Sequence, residues 1–291
     1  MWVTRSTSVG MRSNPTGRQL RLGRELRKLR ERSGLTATDA AELIGIKANQ
    51  VSNIEAGRHG VSADRVRAMA CHYACPDKDL IEALAAMTTE RRRQWWEEYR
   101  ESLSAGLLDL AEMEVYGYGF RTAHTSGIPG LLQTAEHARE VFLQVVPELS
   151  PKEIEQRASF RLKRQAVLFH GNSPHYQAII HEAALHMRFG GRDVARQQLK
   201  HLLKMGEHPN ISIQVLPFDA GGYPGAGQPV YYVQGPVPQL DTVQLDQSHG
   251  VTLLDAEAQL IKYRTVLDRL AALSLIELES RALIQRIIRE L

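Results

Sequence analysis

Two arginines at helical spacing are well suited to hold an acidic group. Arg161 and Arg164 lie three residues apart in a segment with helical character, and Gln165 lies beside them. Because residues three apart share one face of a helix, the two guanidinium groups can bind a carboxylate of a ligand or of a protein partner. The competing interpretation is that both arginines form ordinary salt bridges within their own domain, for example to Glu153 or Glu155.

Other side chains that could do chemistry lack the partners that the chemistry needs. The glycine-rich run from Gly221 to Gly227 has no Lys-Ser/Thr ending, so it is interpreted as a loop between strands rather than a phosphate-binding loop. Cys71 and Cys75 flank His72, but no second Cys/His pair follows at zinc-finger spacing. We therefore interpret both thiols as small buried side chains. The sequence predicts no metal site and no cofactor.

The composition is that of a globular protein with enough residues for two domains. Its 291 residues are 43% hydrophobic and 24% charged, and domains commonly contain about 100–200 residues. The longest apolar stretches fall well short of the roughly 20 residues that cross a bilayer, and residues 1–17 carry no apolar signal region. Two cysteines cannot form a disulfide framework. These features predict a cytoplasmic protein without membrane contacts.

The charge is divided unevenly along the chain. Residues 1–94 contain 17 Lys and Arg against 10 Asp and Glu, whereas the remaining residues contain 19 against 23. A basic N-terminal part on a mildly acidic body indicates an anionic partner for that part alone, and nucleic acid is the commonest such partner. The alternative is that these charged residues simply form the solvent-exposed face of a helix and bind no partner.

The basic part has the pattern of five short helices. Leu22, Leu26 and Leu29 form an apolar stripe at spacings of four and three, and Gly34 is suited to end that first helix. Thr36 can cap the second helix, and Gly45 permits a tight turn into the third. The helices are expected over about 18–32, 37–44, 47–56, 62–73 and 77–87.

The second and third helices, joined at Gly45, describe a helix-turn-helix unit. Its strings are Gly34-Leu35-Thr36, Ala40 to Ile46 and Val51 to Arg58. Residues 18–87 closely resemble the Xre/phage-repressor family of DNA-binding domains. The resemblance implies a lambda-repressor-like, all-α domain over 18–90, preceded by a flexible basic arm over 1–17. It also implies that Glu55 helps to fix the helical bundle.

In that family the third helix enters the major groove of operator DNA and presents its first turns to the bases. Asn and Gln side chains can pair with the N6/N7 edge of adenine, although the same residues could simply be exposed polar groups. The resemblance assigns base contacts to Ala48, Asn49, Gln50 and Asn53. It assigns phosphate contacts to Thr36, Thr38, Lys47, Ser52 and Arg58. Ala37 stands where many relatives have a phosphate-bracing glutamine, so the two threonines or the helix amides must replace it.

Residues 91–291 are expected to form a second domain, of α+β or α/β class. Ser150-Pro151-Lys152-Glu153 has the residues of a helix start with a capping box. Strand and turn are expected over 115–124, and further strands over 176–180, 211–216, 230–234, 242–246 and 251–254. A final helix over about 275–290 is apolar enough to be either core or a dimer surface.

Several strings of this second domain resemble another family. They are Ile128 to Thr134, Arg164-Gln165, Glu182 to Leu185, Pro209-Asn210 and Gln214 to Pro217. They are similar to the uncharacterised domain that follows Xre-type DNA-binding domains in actinobacterial regulators, sometimes called Scr1-like or antitoxin-like. We add Glu182 to the candidate ligand or partner site of Arg161, Arg164 and Gln165.

The two resemblances together imply a sequence-specific transcription regulator. Its C-terminal domain is expected to form a homodimer, since one DNA-binding domain reads only a short half-site. That domain is also expected to respond to a small-molecule effector or to a small protein partner encoded nearby. The alternative is an antitoxin-like module that neutralises a small partner and binds DNA for autoregulation.

A third class of function is phosphodiester hydrolysis. His186, Arg188 and Asp193 have the spacing His-x-Arg-x4-Asp, which is similar to the His-x-Lys-x4-Asp string of phospholipase D-like phosphohydrolases. In that chemistry the histidine attacks phosphorus and the lysine steadies the phosphate oxygens. Here arginine replaces lysine, a second copy is missing, and Asp193 is suited to cap a helix. We therefore expect no enzyme activity, and a degenerate phosphohydrolase is the least favoured interpretation.

Overall fold

A computed structural model describes residues 15–88, 94–169, 173–225, 227–247 and 250–291. The chain divides into two compact units at residues 92–93. Most of the arm expected over 1–17 lies outside the described residues, and the first helix begins at Gly17, with Thr16 as its N-cap. Within the described ranges, no helix is long and apolar enough to cross a membrane.

The first unit is a bundle of five helices, as the sequence predicts. Capping side chains begin the helices where they were expected, because Thr36, Ser62 and Asp77 each accept a backbone N–H three residues later. The helices are α1 (Gly17–Arg32), α2 (Ala37–Ile44), α3 (Ala48–Glu55), α4 (Ala63–His72) and α5 (Lys78–Ala86). Their bounds differ from the expected ones by at most one residue.

The two cysteines are not buried, contrary to expectation. Cys71 is exposed near the end of α4, and Cys75 is half-buried beyond that helix. The reason is the helical period, since Val66, Met69 and Ala70 occupy the inward face of α4. Cys71 falls on the opposite side of the helix.

At Gly23, helix α1 packs directly against the backbone of α3. A Cβ atom at this position would lie 2.3 Å from the carbonyl oxygen of Glu55 and 2.8 Å from that of Ile54. Because both obstacles are backbone atoms, no side-chain movement can relieve the overlap. Gly23 therefore sets the distance between the first helix and the helix that carries the candidate DNA contacts.

We expect Gly23→Ala to destabilise the first unit by about 2–3 kcal/mol, in the upper part of the range for overpacked sites. Backbone amide hydrogen exchange in α1–α5 should measure this loss. Gly34→Ala is the control, because a Cβ atom there would meet open space and only the positive φ disfavours alanine. Protection in Gly23→Ala equal to that of the unaltered protein would contradict the close crossing.

The second unit is built on a six-stranded sheet in the order β3-β2-β1-β4-β5-β6. Strands β1, β2 and β3 are parallel, and β4, β5 and β6 continue the sheet in antiparallel pairs. The strands are β1 (Gly119–His124), β2 (His175–His181), β3 (Ile211–Leu216), β4 (Val230–Gln234), β5 (Thr242–Gln247) and β6 (Gly250–Leu254). The helices are α6 (Ala105–Val115), α7 (Ala135–Phe142), α8 (Pro151–Gln165), α9 (Glu182–His186), α10 (Gly191–Met205), α11 (Glu257–Leu273) and α12 (Glu277–Glu290).

Helices cover both faces of this sheet. On one face, Phe120 and Tyr176 belong to a buried cluster that includes Leu199 of α10 and Ile284 of α12. On the other face, α11 closes a second cluster around Tyr232. The protein is therefore an all-α helix-turn-helix domain followed by an α+β domain, as the sequence predicts. The apolar side of α12 contributes to the core.

One local expectation for the second unit was wrong, and one helix was not predicted. The strand and turn expected over 115–124 are present, since β1 begins at Gly119 after a turn, but residues 105–115 form helix α6, which the sequence did not indicate. Consecutive apolar residues in α6, such as Leu107 and Leu108, hide the helical period. Asp193 lies in the first turn of α10 but does not cap it, because the N-cap position is Gly190 in the left-handed region.

Candidate nucleic-acid interface

The turn between α2 and α3 is closed by backbone geometry. Gly45 adopts φ +67°, a left-handed conformation that favours glycine. The N–H groups of Gly45 and Ile46 then donate to the carbonyl oxygens of Glu42 and Ala41. These bonds end α2 and send the chain directly into α3. The angle between the two helices is thereby fixed by the turn itself.

Helix α3 presents the predicted base-contacting residues on its outer side. Val51, Ile54 and Glu55 are buried, whereas Asn49 and Gln50 are exposed and Ala48 and Asn53 are half-buried. Asn49 and Asn53 are four residues apart and share one helix face. The structure therefore brings the four residues together on one accessible surface of suitable chemistry.

Gln50 has a structural role that the sequence did not reveal. Its Oε1 accepts the backbone N–H of Lys47 at 3.0 Å, while its own backbone N–H donates to the carbonyl of Lys47 at 2.8 Å. The side-chain oxygen is thus used to close the start of α3. This bond uses the oxygen of the side-chain amide and leaves its NH₂ group available to a partner.

This arrangement predicts different outcomes for two substitutions of Gln50. Gln50→Glu keeps an acceptor for Lys47 but places an anion on the surface that would face a polyanion. We expect its unfolding free energy to change by less than about 0.5 kcal/mol and its DNA affinity to fall at least about tenfold. Gln50→Ala should instead lose about 0.5–1 kcal/mol of stability and bind DNA better than Gln50→Glu. Urea unfolding and fluorescence anisotropy measure both quantities. DNA binding by Gln50→Glu at the unaltered affinity would place Gln50 outside the interface.

The candidate phosphate-contacting residues differ in whether their donor groups already form hydrogen bonds within the protein. The Thr36 hydroxyl donates to Asp39 Oδ2 at 2.7 Å, so its hydrogen is used within the cap of α2. Hydrogen bonds from Thr36 also hold the pKa of Asp39 below its ordinary value. Ser52 Oγ donates to the carbonyl of Ala48 at 3.2 Å. The remaining candidates are exposed, and they are Thr38, Lys47 and Arg58.

A buried ion pair between Arg30 and Glu55 holds α3 in the bundle. The sequence analysis counted Arg30 among the basic residues of the N-terminal part and did not predict its burial. Arg30 donates to both carboxylate oxygens of Glu55, at 2.6 and 2.9 Å, and to the carbonyl of Leu35 at 2.8 Å. The hydrogen bonds to Glu55 raise the pKa of Arg30. Residue 30 continues the column of Leu22 and Leu26 at a spacing of four, which is the signal that could have identified it. Glu55 fixes the bundle through this bond.

Two of the four candidate ligand residues of the second unit meet around one loop residue, Gln133. Arg161 Nη1 donates to Gln133 Oε1 at 2.6 Å, and Gln165 Nε2 donates to the carbonyl of Gln133 at 2.6 Å. Arg164 instead forms a buried bidentate pair with Glu114, at 2.6 and 2.8 Å. The glutamates expected as alternative partners make other contacts, since Glu155 pairs with Arg139 and Glu153 accepts the backbone N–H of Ser150, the N-cap residue of α8.

Glu182 and the His186 string have separate surroundings. Glu182 Oε2 accepts the backbone N–H of Phe218 at 2.9 Å, and its Oε1 lies 3.8 Å from His186 Nε2. The His186 ring stacks on Phe218, whereas Asp193 is exposed and pairs with Arg196. His186 and Asp193, the two ends of the His-x-Arg-x4-Asp string, therefore contact different residues.

Two family models match the chain, one in each of the two structural units. A helix-turn-helix domain model matches residues 21–84. A model for a domain of unknown function, DUF5753, matches residues 107–286, more than half of the chain. The chain belongs to the DUF5753 family. The chain matches no curated protein and no solved structure.

The helix-turn-helix match covers α2, the glycine turn and α3, where the exposed Asn and Gln side chains lie. In this DUF5753 protein the first unit is therefore a helix-turn-helix domain of the kind found in DNA-binding regulators. The DUF5753 match covers the second unit from α6 to α12 and assigns it no function.

Proposed function

We propose that this protein is a sequence-specific transcription regulator of the Xre family that reads operator DNA with α3. The observation that carries the proposal is the outer surface of α3, where Asn49, Gln50 and Asn53 stand beside each other while Val51 and Ile54 hold the helix in the bundle. Lys47, Arg58 and Thr38 supply phosphate contacts around this surface. Each good base contact contributes about 1–3 kcal/mol of discrimination.

The second unit is proposed to act as the regulatory half, of the Scr1-like or antitoxin-like type seen in actinobacterial regulators. A homodimer places two copies of α3 on two half-sites, which accounts for the specificity that one short helix cannot reach alone. The same unit receives the signal, which is a small-molecule effector or a small protein partner. The protein works in the cytoplasm on nucleoid DNA, without catalysis.

Capture of genomic DNA fragments by the purified full-length protein tests this proposal. A triple variant, Asn49→Ala/Gln50→Ala/Asn53→Ala, serves as the control because it keeps the buried face of α3. A palindromic motif enriched by the intact protein and lost in the triple variant is expected. Enrichment that follows only base composition and disappears with added salt would mean phosphate contacts alone, and it would overturn sequence-specific reading.

A further inference from the structure

A cleft opens at the carboxyl ends of the parallel strands of the second unit. Strands β1 and β2 end there at His124 and His181, and β4, which is antiparallel to β1, begins there at Val230. In open sheets the crevice outside these strand ends is where ligands commonly bind. The cleft contains about 310 Å³ of space, including the part that opens to solvent. This volume is at the lower end of the range for ligand pockets and suits a molecule of one ring.

The inner surfaces of the cleft are apolar. Ala123, Ile179 and Val230 line it from three neighbouring strands. Val266 and Leu270 line it from α11. The three strand residues and Leu270 are buried and belong to the core cluster under α11, so these sides of the cleft are fixed by the packing of the domain.

The cleft provides no charge to a ligand. The described residues that line it include no Asp, Glu, Lys or Arg. Burial lowers the pKa of His124 to about 4, so this ring is uncharged at neutral pH. A charged ligand would lose hydration in the cleft without gaining an opposite charge. The lining therefore favours an uncharged molecule.

Three polar side chains of the lining have hydrogen-bonding groups to spare. His181 Nδ1 accepts the backbone N–H of Ala183 at 3.1 Å, so the neutral ring carries its proton on Nε2. This N–H has no hydrogen-bond partner among the described residues. The side chains of Thr125 and Gln228 are half-buried and likewise have no partner in the described part of the chain. An apolar pocket with a few such groups is the usual form of a small-molecule site.

The roof of the cleft is the side that can yield to a ligand. Tyr223, Pro224 and Gly225 form it, and they lie in neither a helix nor a strand. The Tyr223 ring lies 5.3 Å from the ring of His181. The deepest space beneath this roof has room for about one water molecule. A ring therefore enters from the open part of the cleft and moves the loop outward, since loops yield more readily than packed strands.

We propose that this cleft binds a small, uncharged, planar organic molecule of one ring that carries a hydrogen-bond acceptor. The ring lies against the apolar residues of the sheet and α11. The acceptor, such as a carbonyl oxygen, takes the N–H of His181, and Thr125 or Gln228 binds a second polar group. The inference rests on the proposed role of the second unit as a sensor of small molecules.

Thermal unfolding of the full-length protein in benzamide tests this site. Binding only to the folded state should raise the unfolding temperature of the second unit by about 3–6 °C when benzamide is at ten times its Kd. Sodium benzoate is the matched ligand, because it has the same size and shape but carries a charge. With ionic strength equalised by sodium chloride, benzoate should bind at least about tenfold more weakly and give less than about one third of the shift.

Variants of the lining locate the response. Val266→Phe fills the cleft from α11 and should abolish the benzamide shift, whereas Ile261→Phe, at an exposed position of the same helix outside the cleft, should keep it. His181→Phe keeps an aromatic ring beside Tyr223 but removes the N–H donor, and it should weaken benzamide binding about tenfold. Unfolding without ligand checks that each variant is folded.

Four results would overturn the proposal: no benzamide response in the unaltered protein, an unchanged response in Val266→Phe, unchanged affinity in His181→Phe, or an equal response to benzoate. Because no DNA is present, failure here leaves DNA reading by α3 standing, and loss of DNA reading leaves the benzamide result interpretable.

Discussion

Replacing Asn49 and Asn53 together by alanine is expected to lower discrimination between operator and scrambled DNA at least about 30-fold. Each side chain can make a bidentate contact with a base, and each such contact contributes about 1–3 kcal/mol. Binding to scrambled DNA and its salt dependence should remain unchanged, because phosphate contacts come from other residues. Fluorescence anisotropy with an operator duplex and a scrambled duplex measures both affinities.

The same double variant should fold at least as well as the unaltered protein. Both positions lie in α3, where alanine has a higher helix propensity than asparagine by about half a kcal/mol. A loss of specificity therefore cannot be attributed to unfolding. Asp79→Ala, at an exposed position of α5, is the control for a polar substitution elsewhere in the unit. Unchanged discrimination in the double variant would remove α3 as the reading element.

Arg30→Met is expected to destabilise the first unit by about 3–5 kcal/mol. The substitution leaves the carboxylate of Glu55 buried without its guanidinium partner, and breaking a buried pair from one side has this cost. Because small domains have only about 5–15 kcal/mol of stability, the unit should open far more often. Hydrogen exchange of the backbone amides in α1–α5 measures the change separately from the second unit.

An exposed pair of the same chemistry provides the control. Arg67 forms two hydrogen bonds of 2.8 Å with Glu82, but both side chains are exposed, so Arg67→Met should cost less than about 1 kcal/mol. The double variant Arg30→Met/Glu55→Met should recover most of the stability, because it leaves no buried charge. Equal effects of Arg30→Met and Arg67→Met would show that the buried pair does not hold α3.

The helices of the first unit could be predicted closely because local signals determine them. Thr36, Ser62 and Asp77 cap helices through contacts three residues away. Gly45 indicates a turn because glycine readily adopts the positive φ that the turn requires. The pair of Arg30 with Glu55 spans 25 residues. No local pattern assigns such a partner, so the sequence could place both residues without showing that they meet.

In the second unit, the strand positions could be predicted from the sequence, but the strand order and the side-chain partners could not. Its strands were located to within one residue, and β1 lies inside the segment expected as strand and turn, but their order in the sheet depends on pairings between distant segments. Arg161 and Arg164 were recognised as a pair on one helix face. Their different roles follow from Glu114 and Gln133, which lie on other elements and reach only one arginine each.

Photocrosslinking from α3 tests the central claim most directly. A benzophenone amino acid placed at Asn49 should crosslink to bases of the operator, whereas the same group at Asp79 on α5 should not. Both positions are exposed, so reactivity reports proximity to DNA rather than accessibility. Crosslinks to operator bases from position 49 alone are the predicted result. Crosslinks from position 79 with none from position 49 would contradict the assignment of α3 as the DNA-reading helix.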